Sequence, residues 1–195
     1  MLNLMKKLIL IATITASLFF ATSTLAEDAP AASCTSAASL YIEGDIEGAL
    51  EEARWCVTQL EQLKQGQTSS YFKDKINGYV GGPLDSQSAM GIVVINRRYT
   101  QAGNSVDVSL SGGGSGDMNN AFAAIASFGM QAAQGKRIRI QKRTAVVNYE
   151  RGSAQVVITL KSGGLLTFES NKLSEDDVVA FAKAFPVADL DDSRR

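Results

Sequence analysis

The side chains capable of chemistry are few, and what is missing narrows the field first. None of the 195 residues is a histidine. His-based triads, histidine metal sites and an imidazole pH switch are therefore excluded. Two cysteines, scattered carboxylates, Ser–Lys pairs and one basic run remain. Cys34 lies ten residues before Gly44, and Cys56 eleven after Asp45. At about 1.5 Å rise per residue, both sit roughly 15–17 Å from a turn at Gly44-Asp45, level across an antiparallel helical pair. That spacing predicts a Cys34–Cys56 disulfide, worth about 3 kcal/mol through loop closure in the unfolded chain. No C-x-x-C spacing supports redox chemistry instead.

The basic run Lys136-Arg137-Ile138-Arg139-Ile140-Gln141-Lys142-Arg143 reads as a strand. Alternation puts Ile138 and Ile140 on one face and Arg137 and Arg139 on the other. With Arg97, Arg98 and Arg143, these form a candidate contact surface for phosphates, an anionic envelope component or an acidic partner. The plainer reading is the solvated face of an antiparallel sheet. Trp55, off the main apolar stripe of its helix, is a second candidate contact residue.

Three further patterns fail their chemistry. Gly112 to Gly116 is followed by Asp117 and Met118, where a phosphate loop needs Lys and Ser or Thr. Ser70-Tyr71-Phe72-Lys73 and Lys161-Ser162-Gly163 echo serine β-lactamase elements, yet Asn77-Gly78 breaks any long helix there and the S-D-N element is missing. Asp189, Asp191 and Asp192 lack the glycine and distal Glu of an EF-hand loop and read as a solvated tail. No catalytic, cofactor or metal site is expected.

The elements that must position these residues begin with a leader. Lys6 and Lys7 precede the apolar run Leu8 to Ala21, and Thr24-Leu25-Ala26 is a small-residue exit. Residues 1–26 read as a signal peptide cleaved near Ala26, which implies a periplasmic or secreted product. Residues 27–32 read as a disordered lead and 33–65 as a helical hairpin, with Asp45 as N-cap of the second helix. Ile46, Ala49, Leu50, Ala53, Cys56, Val57, Leu60 and Leu63 repeat at three-four spacing, predicting one buried stripe. Residues 66–87, rich in Gly, Ser and polar side chains, read as a linker.

Residues 88–187 read as an α+β domain in the order ββαββββα: a mostly antiparallel sheet with two helices packed on it. Its strands centre on 89–99, 106–110, 136–141, 143–150, 154–161 and 164–169, and its first helix runs from Asp117 to Gln134. Ser174 opens the last helix with a capping box to Asp177, Pro186 ends it, and 188–195 reads as a frayed tail. Net charge is −1, which gives no pull toward nucleic acid. After the leader, no apolar run is long enough to span a membrane.

The run Gly44-Asp45-x-x-x-Ala49-Leu50, Arg97-x-Tyr99 followed by Val106-x-Val108, and Ser174-Glu175-Asp176-Asp177 resemble a loose group of secreted proteobacterial proteins. Those proteins carry a tetratricopeptide-like hairpin before a small α+β domain. The resemblance implies this architecture and compartment and carries over no site residues. The expected function is a non-catalytic accessory or binding protein that contacts a protein partner or an anionic envelope surface. The alternatives are a hydrolase built on carboxylates or a Ser–Lys pair, and a carrier of a lipid or other small ligand.

Overall fold

The computed structural model of the chain describes residues 29–89, 92–112 and 135–195. The expected signal peptide, the first residues of the lead, the glycine loop beyond Gly112 and the helix from Asp117 to Gln134 lie outside the described residues. The chain divides at Cys56/Val57 into two units.

The first unit is a helical hairpin. Helix α1 is Ala29–Glu43 and α2 is Ile46–Ser69, with α2 running on into the second unit. Gly44 makes the bend with φ +87°, and Asp45 Oδ1 accepts from Gly48 N at 3.0 Å, as an N-cap should. Helix α1 starts at Ala29 and not at the expected Thr35, with Pro30 in the first turn where proline is tolerated, so residues 29–32 are helical and not a disordered lead. The buried and half-buried positions of α1 include Ser33, Cys34, Ala37 and Leu40; those of α2 include Ala49, Ala53 and Cys56. These are mainly small residues at helical spacing. The disulfide Cys34–Cys56 ties them, with Cα atoms 5.1 Å apart.

One expectation about α2 fails here. Ile46, Leu50, Val57, Leu60 and Leu63 do not form a buried stripe with Ala49; all five are exposed. Helical periodicity shows which side chains share a face, not whether anything covers it.

The second unit is an eight-stranded antiparallel sheet with two C-terminal helices, an α+β fold. The strands are β1 Lys75–Ile76, β2 Tyr79–Ala89, β3 Ile92–Gln101, β4 Asn104–Ser111, β5 Lys136–Ile140, β6 Arg143–Glu150, β7 Ser153–Thr159 and β8 Leu165–Ser170. Their order is β1-β2-β3-β4-β8-β7-β6-β5. Two meanders therefore meet where β4 pairs with β8, in the register Val108 opposite Phe168.

The stretch 66–87 is not a linker. It holds the end of α2, β1 and most of β2. Asn77 and Gly78 both take left-handed backbone (φ 49° and 82°), the turn that closes a tight hairpin. β2 carries few apolar side chains, and its ladder to β3 is what orders it. The ladder slips between Gly81 and Leu84, so Pro83 sits in a bulge where its missing N–H costs nothing. The next hairpin turns at Ala102-Gly103, both with left-handed backbone.

Alternation fills one face of the sheet with Val106, Val108, Leu110, Ala154, Val156, Ile158, Leu166 and Phe168. Helix α3, Glu175–Ala184, packs over β6, β7 and β8. Its predicted capping box is present: Ser174 Oγ accepts from Asp177 N at 3.2 Å, and Asp177 Oδ2 accepts from Ser174 N at 3.4 Å. Phe181 meets Tyr79, Tyr99 and Phe168, and Phe185 meets Phe72 and Phe168, with ring centroids 5.2–6.1 Å apart. All but the tilted Tyr99–Phe181 pair are edge-on, which suits aromatic quadrupoles.

The chain does not fray after Pro186. Helix α4, Val187–Ser193, buries Val187, Leu190 and Asp191 against the sheet unit. Three aspartates make this segment look like a solvated tail, yet its apolar residues lie one helical turn apart, and the buried charge is answered from β6.

Candidate functional site

Two of the five surface residues expected from sequence are interior. Arg97, on β3, is 11 % exposed. Its Nη1 donates to Phe72 O, its Nε to Gly82 O at 2.8 Å and its Nη2 to Asp74 Oδ1 at 2.6 Å. A Cβ on Gly81 would stand 2.5 Å from Arg97 Nε, so the glycine makes room for the guanidinium. Arg97 also lies 5.7 Å from the centroid of Tyr99. Burial is the main cause that pushes the Tyr99 hydroxyl up to about 12. Arg97 thus pins the start of the sheet unit to β3.

Arg143, at the start of β6, is also buried. Its Nε donates to Asp191 Oδ2 and its Nη2 to Asp192 Oδ1, both at 2.7 Å. Asp191 also accepts from Lys161 N at 3.0 Å and Ser162 N at 2.8 Å. Burial by itself would raise the Asp191 carboxyl, but the bonds from Ser162, Arg143 and Lys161 outweigh it and hold it below the usual carboxylate range. The bond to Asp191 in turn raises Arg143, against burial. A carboxylate held ionised by three donors serves as a fastener; general acids need the opposite shift.

Arg137 and Arg139 remain exposed on β5, as expected, opposite Val146 and Thr144 of β6. Arg98 is spent on Asp107, with bonds of 2.6 and 3.0 Å. Ser70 Oγ donates to Gln67 O at 2.7 Å. Among the described residues, no group of three His, Cys, Asp or Glu could hold a metal ion.

The hairpin unit carries the feature that sequence reading missed. Tyr41 and Ile42, in the last turn of α1, are 68 % and 84 % exposed. Ile46 opens α2 and Leu50 follows one turn on; both are about half exposed. Four large apolar side chains thus stand within about one turn of the Gly44-Asp45 bend. Small residues take the inward positions of both helices, so the large ones are left outside. Trp55 is exposed too, but 100° per residue places it on a different side of α2 from Ile46. The available signal was apolar residues on both sides of a Gly-Asp turn in a hairpin whose inward positions are small.

No protein family, curated protein or solved structure matches this chain.

Proposed function

We propose that the protein is a non-catalytic accessory protein of the periplasm or extracellular space, which grips a protein partner with the tip of its disulfide-tied hairpin. The observation that carries this reading is the exposed set Tyr41, Ile42, Ile46 and Leu50 on a short, cross-linked scaffold. Apolar side chains grouped on a surface favour an interaction site, and a pre-tied scaffold lowers the ordering cost of binding. Export is supported by the leader's charge and apolar pattern, and the disulfide is compatible with it.

The test is photo-crosslinking in living cells, with the probe at Ile42 and a control probe at Tyr149 on the sheet unit. A discrete adduct from Ile42 alone is expected, lost in an Ile46→Ser background. Covering Ile46 is worth about 2 kcal/mol, so that change should weaken capture by about tenfold or more. Adducts that are equal at both positions, or that ignore Ile46→Ser, overturn the reading. Recovery of the protein in the cytosol with Met1 intact overturns the compartment.

A second reading rests on Arg137 and Arg139. Their exposed guanidinium groups suit an anionic envelope surface, and charge reversal there should abolish a salt-sensitive association. No change at low salt would count against it.

A further inference from the structure

We infer that the groove between α2 and the end of α4 binds a single small amphiphile, with one carboxylate or phosphate head on a short apolar chain. The groove holds about 350 Å³ and is walled by Leu60, Leu63, Lys64 and Gln67 from α2, with Arg194 and Arg195 opposite. The four α2 residues fall at i, i+3, i+4 and i+7, so one helix face presents them together. Leu60 and Leu63 are 49 % and 45 % exposed and form an apolar wall.

The opposite wall is cationic and incompletely answered. Arg194 is 7 % exposed. Its Nη2 donates to Gly112 O at 2.6 Å, while its Nη1 finds no acceptor among the described residues. That Nη1 has almost no accessible surface, so a ligand in the groove meets its charge and not its hydrogen. The neighbouring carboxylates are already engaged. Asp191 accepts from Arg143 and from the amides of Lys161 and Ser162. Asp192 Oδ1 accepts from Arg143 and, at 2.6 Å, from Arg195. Lys64 forms no ion pair with a described residue, although Glu61 lies three positions before it. Of the cations that line the groove, Lys64 and Arg194 therefore have no carboxylate partner among the described residues.

An anionic head suits Lys64 and the arginines, and its tail suits the leucines. Inorganic phosphate would leave Leu60 and Leu63 wet, and a neutral alcohol would leave the cations unanswered. This site is separate from the hairpin tip and does not depend on it.

The test is isothermal titration calorimetry of the intact, oxidised chain. The probes are decanoate, decyl phosphate, inorganic phosphate and decanol, each below the concentration at which it aggregates. One-site binding of decanoate or decyl phosphate is expected, about tenfold or more tighter than either phosphate or decanol, and weakening with salt. Lys64→Gln and Leu63→Ser change exposed positions and should each weaken binding by about fivefold or more without altering the thermal midpoint. Arg194→Gln should do the same where it folds. The inference is overturned if neither amphiphile binds, or if inorganic phosphate binds as tightly as decyl phosphate. It is equally overturned if both exposed variants bind like the parent chain, or if the protein pellets with anionic vesicles and decanoate fails to compete.

Discussion

Replacing Asp191 by Asn should cost the sheet unit about 3–5 kcal/mol, because it strips the charge from a buried ion pair and leaves the partner behind. Asp191 is fully buried and receives three hydrogen bonds, from Arg143 Nε, Lys161 N and Ser162 N. An amide of the same shape offers one acceptor oxygen to those donors and turns its own N–H₂ toward at least one of them. Arg143 keeps Asp192 and the carbonyl of Gln141, so its charge is not wholly abandoned, which argues for the lower half of the range. With a urea slope of about 2 kcal/mol per molar, a loss of about 4 kcal/mol moves the midpoint down by about 2 M. Far-UV circular dichroism is the right probe, since the single tryptophan, Trp55, reports on the hairpin unit instead.

The pH dependence supplies a second, independent readout. The Asp191 carboxyl is lowered in the folded chain, so its contribution is complete above the unfolded value of about 3.9 and is lost as pH falls below it. The parent chain should lose stability steeply from about pH 4 downward, and the Asp191→Asn variant should lose less over the same window. Asp192 is 56 % exposed, and Asp192→Asn should cost under about 1 kcal/mol. The double change Arg143→Met with Asp191→Asn should cost less than the two single changes added, since the pair couples directly. A midpoint shift under about 0.5 M for Asp191→Asn, together with an unchanged acid limb, would refute the assignment of this pair as the fastener of α4.

Three other changes test separate parts of the fold. Tyr99→Phe removes a buried hydroxyl that has no hydrogen-bond partner among the described residues, so stability at neutral pH should hold or rise by up to about 1 kcal/mol. Because Tyr99 is raised to about 12, its contribution is complete below pH 10 and is lost between pH 10 and 12. The Tyr99→Phe variant should show a shallower alkaline limb in urea titrations. Cys34→Ser opens a link between residues 22 apart and should cost the hairpin about 3 kcal/mol, read as lost ellipticity at 222 nm on warming. Gly164→Ala puts a Cβ 2.5 Å from Ser111 O at φ +100° and should lower stability by about 2 kcal/mol or more by urea titration. An unchanged midpoint would mean that the β7–β8 turn relaxes freely.

Local chemistry was readable where a short segment contains its own answer. The Gly44-Asp45 bend, the Ser174–Asp177 capping box, the alternation through Val106, Val108 and Leu110, and the level cysteines all appear as their spacing predicts. Each depends on partners within a few residues or on the fixed rise of a helix. The Asn77-Gly78 pair was equally local, and it was read as a break when it is the turn of a hairpin. β2 was harder to see, since its polar residues 79–89 become a strand only through the β3 ladder.

Sequence by itself determined α1, α2 and α3, most strands, the cross-link and the exclusion of histidine chemistry, because periodicity, capping and elimination need no distant contact. Tertiary structure decided which of those faces are covered. Arg143 looked like a surface cation and is buried, because Asp191, 48 residues away, meets it. Ile46 and Leu50 looked like core and stand in solvent, because the inward side of the hairpin is built from small residues. Burial depends on what the rest of the chain brings to a face, and a pattern along one element carries no record of that.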